Sequence, residues 1–186
     1  METLEQPVIT LEYPATWAAE YRKTGNVAAW LEQHLDLFPP HILERRGTLS
    51  SRLGTLDLFA QYALQFLLRS RQGIDSRSWY KLASSPRAQN RQYIDDCWEK
   101  MQRYMKRDFL ALQNAIVNAD LPLFAGEPDL FCWKPTDGTW FFAEAKGKDR
   151  VQPKQRKWTS VYRQTLPTAP KVRLYRLVES RQASQR

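Results

Sequence analysis

Through much of the first 120 residues the apolar positions fall three or four apart, the spacing of one helix face. Trp17, Tyr21, Trp30, Leu31 and Leu35 belong to the first run, which breaks near Gly25-Asn26 and ends at Pro39-Pro40. A short helical piece is expected over 42–46. Leu53, Leu56, Phe59, Ala63, Phe66 and Leu67 predict a strong helix that closes at Gly73. Trp79 to Leu82 reads as a brief helix. The longest pattern covers 88–118: Tyr93, Ile94, Cys97, Trp98, Met101, Tyr104, Met105, Phe109, Leu112 and Ile116 repeat at helical spacing, and Arg91, Asp95, Lys100, Arg103, Lys106 and Arg107 fill the opposite face. Residues 1–14, with Pro7 and Pro14, read as an extended arm.

Beyond residue 126 the pattern changes. Leu130, Phe131, Cys132 and Trp133 form a continuous apolar or aromatic run, as a buried strand requires. Pro135-Thr136-Asp137-Gly138 is turn chemistry, with proline presetting one φ and glycine free to take a positive one. Thr139 to Ala145 predicts a second strand, and the two form a hairpin. Pro153 suits the first turn of a helix over 153–165, which Pro167 and Pro170 stop. Val172, Leu174, Arg176 and Val178 alternate with Arg173, Tyr175 and Leu177, which predicts a last strand. The chain therefore divides into a mostly helical region over 1–120, a strand-bearing core over 121–180 and a frayed polar tail over 181–186.

The hairpin carries the candidate chemistry. Alternate residues of a strand share a face, so Glu144 and Lys146 point the same way, and the hairpin can bring Asp129 beside them. Two carboxylates and a lysine offer hard oxygen ligands for Mg²⁺ or Mn²⁺ and a cation that can stabilise charge building on a phosphate. The same residues admit a plainer reading, in which Asp129 closes a turn and Glu144–Lys146 is a surface ion pair.

Charge and composition narrow the choice. The net charge is +8, and residues 126–186 hold 13 Lys/Arg against 6 Asp/Glu, so nearly all of the excess lies on the candidate core. A basic surface attracts phosphate backbones. Cys97 and Cys132 stand far apart, with no CxxC, and His34 and His41 are isolated, so structural zinc is not expected. No apolar run approaches the roughly 18 residues of a membrane span, and the N-terminus shows no basic-then-apolar signal pattern. A soluble protein with no membrane partner, cytoplasmic as synthesised, is expected. Any later delivery to another cell would use a secretion route that reads no signal peptide.

The full string Gly126-Glu127-Pro128-Asp129-Leu130, then Glu144-Ala145-Lys146-Gly147, Asp149-Arg150, Lys154-Gln155 and Trp158 resembles the VRR-NUC branch of the PD-(D/E)XK nuclease superfamily. The resemblance covers about residues 121–178. It implies an α/β, restriction-endonuclease-like core sheet with helices, and a Mg²⁺- or Mn²⁺-dependent deoxyribonuclease that hydrolyses phosphodiester bonds. Asp129, Glu144, Lys146 and Gln155 would be its catalytic set, with Asp129, Glu144 and the Ala145 carbonyl as metal ligands. Arg150 and Lys154 are candidate contacts to the nucleic-acid backbone, with Arg156 and Lys157 beside them. The family also uses a glutamate from an upstream helix, for which Glu20, Glu44 and Glu99 stand open. No sequence-reading element is evident, so cleavage guided by DNA structure is expected. The implied roles include a phage or repair nuclease and an antibacterial DNase toxin, the last with a cognate immunity protein as partner. The alternative is a nucleic-acid-binding or protein-interaction module with a vestigial site.

Overall fold

The computed structural model describes residues 8–44, 46, 56–82, 90–119, 126–146 and 152–180. Five strands form one mixed sheet: β1 (Val8–Pro14), β2 (Asp75–Ser78), β3 (Leu130–Trp133), β4 (Trp140–Lys146) and β5 (Arg173–Ser180), in the spatial order β1-β5-β4-β3-β2. β2, β3 and β4 are antiparallel neighbours, whereas β5 runs parallel to both β4 and β1. The helices among the described residues are α1 (Ala15–Thr24), α2 (Pro40–Leu43), α3 (Leu56–Gln72), α4 (Arg91–Met105), α5 (Arg107–Asn118) and α6 (Pro153–Thr165), with short 3-10 segments between α1 and α2. The protein is thus an α/β fold with a five-stranded mixed sheet.

Both faces of the sheet are covered. All four residues of β3 are buried, as the unbroken apolar run requires. Phe131, Trp133 and Phe142 pack against α4, α5 and α6 through Met101, Phe109, Leu112, Trp158 and Tyr162. Leu130, Cys132, Phe141 and Ala143 meet Leu64 and Leu68 of α3 on the other face. The outer side of α3 buries Phe59, Tyr62 and Ala63 against Ala18, Tyr21, Leu31 and Phe38 of the N-terminal helical segments. α3 closes as its pattern predicts: Gly73 takes φ +61°, and the Ile74 N–H reaches back to the Leu68 carbonyl at 3.2 Å.

The sequence expectations need correction at four places. The first 120 residues are not helical throughout, because they supply both edge strands. The expected arm is β1, which pairs with β5 along all seven residues. Trp79 to Leu82 is no helix: Trp79 and Lys81 take φ +58° and +44° in an irregular segment after β2. The pattern over 88–118 is two helices, because Lys106 takes φ +56° and turns the chain between α4 and α5.

An ion network ties β2 to the helices. Arg69 of α3 grips Asp36 through two nitrogens at 2.7 and 2.9 Å and reaches Asp75 at 3.1 Å. Arg77 lies 3.5 Å from Asp96 and 3.7 Å from Asp36. The hydrogen bonds from Arg69 hold the Asp36 carboxyl below its ordinary value. A depressed acid adds stability above its unfolded pKa and loses it as pH falls through the folded one. Half-exposure of Asp36 screens the pair, so Arg69→Ala should cost about 1 kcal/mol at neutral pH. Thermal melting should show that gap narrowing in acid; a gap that widens in acid would contradict the assignment.

Candidate active site

The β3–β4 register pairs Leu130 with Ala143, so the next step outward sets Asp129 across from Glu144. Two backbone bonds fasten that end of the ladder. The Ala145 N–H donates to Asp129 Oδ2 at 2.8 Å, and the Asp129 N–H donates to Glu144 Oε2 at 3.2 Å. Glu144 is buried and Asp129 partly so. Glu144, like Phe142 two residues earlier, faces the side of the sheet that α6 covers.

Lys146 and Gln155 complete the cluster. Lys146 Nζ donates to Glu144 Oε1 at 2.8 Å and to Gln155 Oε1 at 3.0 Å, and Gln155 Nε2 donates to Glu144 Oε1 at 2.5 Å. The ion pair is not a surface pair, for the Lys146 and Glu144 side chains are only 13% and 9% exposed. Gln155 also accepts from the Gln152 N–H at 2.9 Å, which closes the first turn of α6. One glutamine side chain therefore starts a helix and anchors it to the strand that carries Glu144 and Lys146.

Gly126 brings that helix close. It takes φ +98°, and a Cβ built there would lie 2.2 Å from the Lys154 carbonyl oxygen and 2.8 Å from the Gln155 nitrogen. Only a residue without a side chain lets the loop before Asp129 lie against the first turn of α6. Trp158 and Tyr162, one and two turns on, stack 5.3 Å apart and meet the edge of Phe142.

Asp129, Glu144, Lys146 and Gln155 thus come together, and Ala145 lies between the two strand residues. Lys154, Arg156 and Lys157 are exposed on the first turns of α6. Arg150 lies outside the described residues, as do Gly147 and Asp149. Of the upstream glutamate candidates, Glu20 lies on α1 and Glu99 on α4. Glu20 accepts from the Ala29 N–H, Glu44 is exposed just beyond α2, and the Glu99 side chain is 75% exposed, 3.9 Å from Lys100. Among the described residues no three His, Cys, Asp or Glu form a metal-binding group. The donors that the resemblance implies, two carboxylates and the Ala145 carbonyl, are hard oxygens that would suit Mg²⁺ or Mn²⁺ better than a softer metal.

Two residues escaped the sequence reading. Tyr80, buried, donates from its hydroxyl to the Pro128 carbonyl at 2.8 Å. Burial pushes its pKa well up, and the nearby charges of Glu127, Glu144 and Asp129 add to the rise. Glu127 accepts from the Leu82 N–H at 2.8 Å, and burial pushes its carboxyl up to about 7. Its place beside Asp129 in the quoted string was the available signal; its partner, 45 residues away, was not visible.

A raised acid stabilises the fold below its unfolded pKa and loses that contribution as pH rises through the folded one. Between 4.5 and about 7 the Glu127 carboxyl should therefore cost the fold progressively more as it ionises. The Glu127→Gln protein lacks this slope, so its melting temperature should gain on the parent across that window. Parallel curves would show that the carboxyl titrates normally.

No protein-family model matches this chain, and no curated protein matches it by sequence.

Proposed function

We propose that this protein is a metal-dependent DNA nuclease of the PD-(D/E)XK type, in its VRR-NUC branch. The observation that carries the reading is the cross-strand pair Asp129–Glu144 with Lys146 and Gln155 bonded to the same carboxylate. The element order supports it: α3, β2, the antiparallel pair β3 and β4, then α6 and a parallel β5 agree with the restriction-endonuclease-like core that the resemblance implies, with α4 and α5 inserted between β2 and β3.

Asp129, Glu144 and the Ala145 carbonyl would hold Mg²⁺ or Mn²⁺. The bound cation supplies positive charge for a phosphate oxygen and acidifies water. Lys146, fixed by Glu144 and Gln155, holds an ammonium where negative charge grows on the phosphate. Gln155 keeps that ammonium oriented and excludes bulk solvent from one side. Lys154, Arg156 and Lys157 bind the DNA backbone without reading its bases. Cleavage then follows DNA shape or ends, and affinity falls steeply with salt.

The test is a digestion panel of random duplex, single-stranded, flapped and branched DNA, run with Mg²⁺ or Mn²⁺ and with a chelator. Metal-dependent cutting without one preferred base sequence is expected. No cutting of any substrate with either metal overturns the reading. Growth arrest with DNA breakage on expression in a bacterial cytosol, absent in Asp129→Ala, would support an antibacterial toxin, neutralised by an immunity protein. Unimpaired growth with active enzyme would favour a phage or repair role.

One observation favours a second reading. Glu144 is already satisfied by Lys146 and Gln155, and Asp129 by the Ala145 N–H, as in a binding module whose site is vestigial. Tight DNA binding without saturable Mn²⁺ binding would select it.

A further inference from the structure

The loop that carries Asp129 is fastened to a segment far away in sequence. Three side chains of α4 and α5 grip alternate carbonyls of the 78–82 segment. Tyr93 donates to Ser78 at 2.9 Å, Trp98 Nε1 to Tyr80 at 2.8 Å and Gln113 Nε2 to Leu82 at 3.4 Å. That segment holds the site loop at two points. The Tyr80 hydroxyl binds the Pro128 carbonyl, and the Leu82 N–H binds Glu127, both at 2.8 Å. Pro128 and Glu127 are the two residues immediately before Asp129. Two positive φ angles, at Trp79 and Lys81, aim the Tyr80 ring and the Leu82 N–H at this loop. Such angles are strained in non-glycine residues and persist where the surroundings over-determine them.

We propose that Glu127 and Tyr80 are positioning residues that fix Asp129 opposite Glu144 by clamping the site loop to the segment gripped by α4 and α5. The inference rests on the reading of Asp129 as a metal ligand. It gives the helical pair a task beyond covering the sheet, since the rigidity of α4 and α5 passes through five hydrogen bonds to one ligand. Changing a group that orients a metal ligand typically lowers metal affinity or activity by about 10- to 100-fold.

Mn²⁺ titration of the full chain by calorimetry tests this, beside DNA cleavage kinetics and melting in chelator. Glu127→Ala should weaken Mn²⁺ binding about tenfold or more and lower kcat, while KM for DNA stays within about threefold. Glu127→Gln keeps an acceptor for the Leu82 N–H and should recover most of the affinity. Tyr80→Phe, which loses only the hydroxyl, should weaken Mn²⁺ about threefold to tenfold. Parental Mn²⁺ affinity in Glu127→Ala, or Glu127→Gln as weak as Glu127→Ala, overturns the clamp. Should melting show that Glu127→Ala does not fold, Tyr80→Phe decides, and unchanged affinity there overturns it. Asp129→Asn separates the two ideas. If it abolishes Mn²⁺ binding while the clamp variants bind normally, only the clamp fails; if it leaves binding intact, the metal-site reading fails and the clamp with it.

Discussion

Lys146→Ala should lower DNA cleavage by about a hundredfold or more in kcat, with a much smaller change in KM, because the ammonium acts on charge that grows only as the phosphate reacts. The fold should survive. Lys146 is the last residue of β4 and lies outside the apolar clusters, so its loss breaks bonds to Glu144 and Gln155 without opening the core. Leaving Glu144 with Gln155 and the Asp129 N–H as partners costs stability of about 1–3 kcal/mol. Asp129→Ala should abolish cleavage more completely, since it removes one of the two carboxylates proposed to hold the metal. Single-turnover cleavage at saturating Mn²⁺, beside melting of each variant, makes the measurement. Robust cleavage that survives both changes would show that the reaction happens elsewhere on the molecule.

The second large effect concerns a residue with no side chain. Gly126→Ala should destabilise the protein by about 3 kcal/mol or more, because the methyl meets backbone, which cannot swing aside, and the positive φ adds strain. The atoms in its way, the carbonyl of Lys154 and the nitrogen of Gln155, lie in the first turn of α6. Relief would push the helix off the loop and carry Gln155 away from Glu144, so cleavage should fall further than the melting curve explains. Gly138→Ala is the control: its φ of +74° is equally unsuited to alanine, yet nothing lies within 4 Å of the added carbon. It should cost only about 1 kcal/mol and leave cleavage untouched. Equal losses at the two glycines, in urea unfolding, would refute the close approach.

Where burial and repeat period agree, the sequence was a good guide. β3, β4, α6 and β5 follow from unbroken or alternating apolar runs and from proline at the start of a helix. Their order brings Asp129, Glu144, Lys146 and Gln155 to one place. β2 was hidden for a physical reason. Asp-Ser-Arg-Ser has no apolar alternation; it buries Ser76 and Ser78 and pairs Asp75 and Arg77 with charges on neighbouring elements. β1 has strand composition, but the partner that makes it a strand comes more than 160 residues later. The break at Lys106 leaves the apolar period of α4 and α5 nearly intact, so periodicity alone merged them. Glu127 and Tyr80 were missed because their meaning lies in contacts across 45 and 48 residues.

The parallel pairing of β1 with β5 has a consequence for how the molecule is made. Among the described residues β1 has β5 as its one sheet neighbour, so a growing chain carries an open strand edge until residues 173–180 have been synthesised. Closing so long a loop is entropically slow, and it comes after local helices can form. The strand that flanks β4 on the side of Glu144 also arrives last, through β5. Nascent chains therefore hold Asp129 and Glu144 on an unfinished sheet, and a cell that makes this protein meets the completed sheet only after residues 173–180 have left the ribosome.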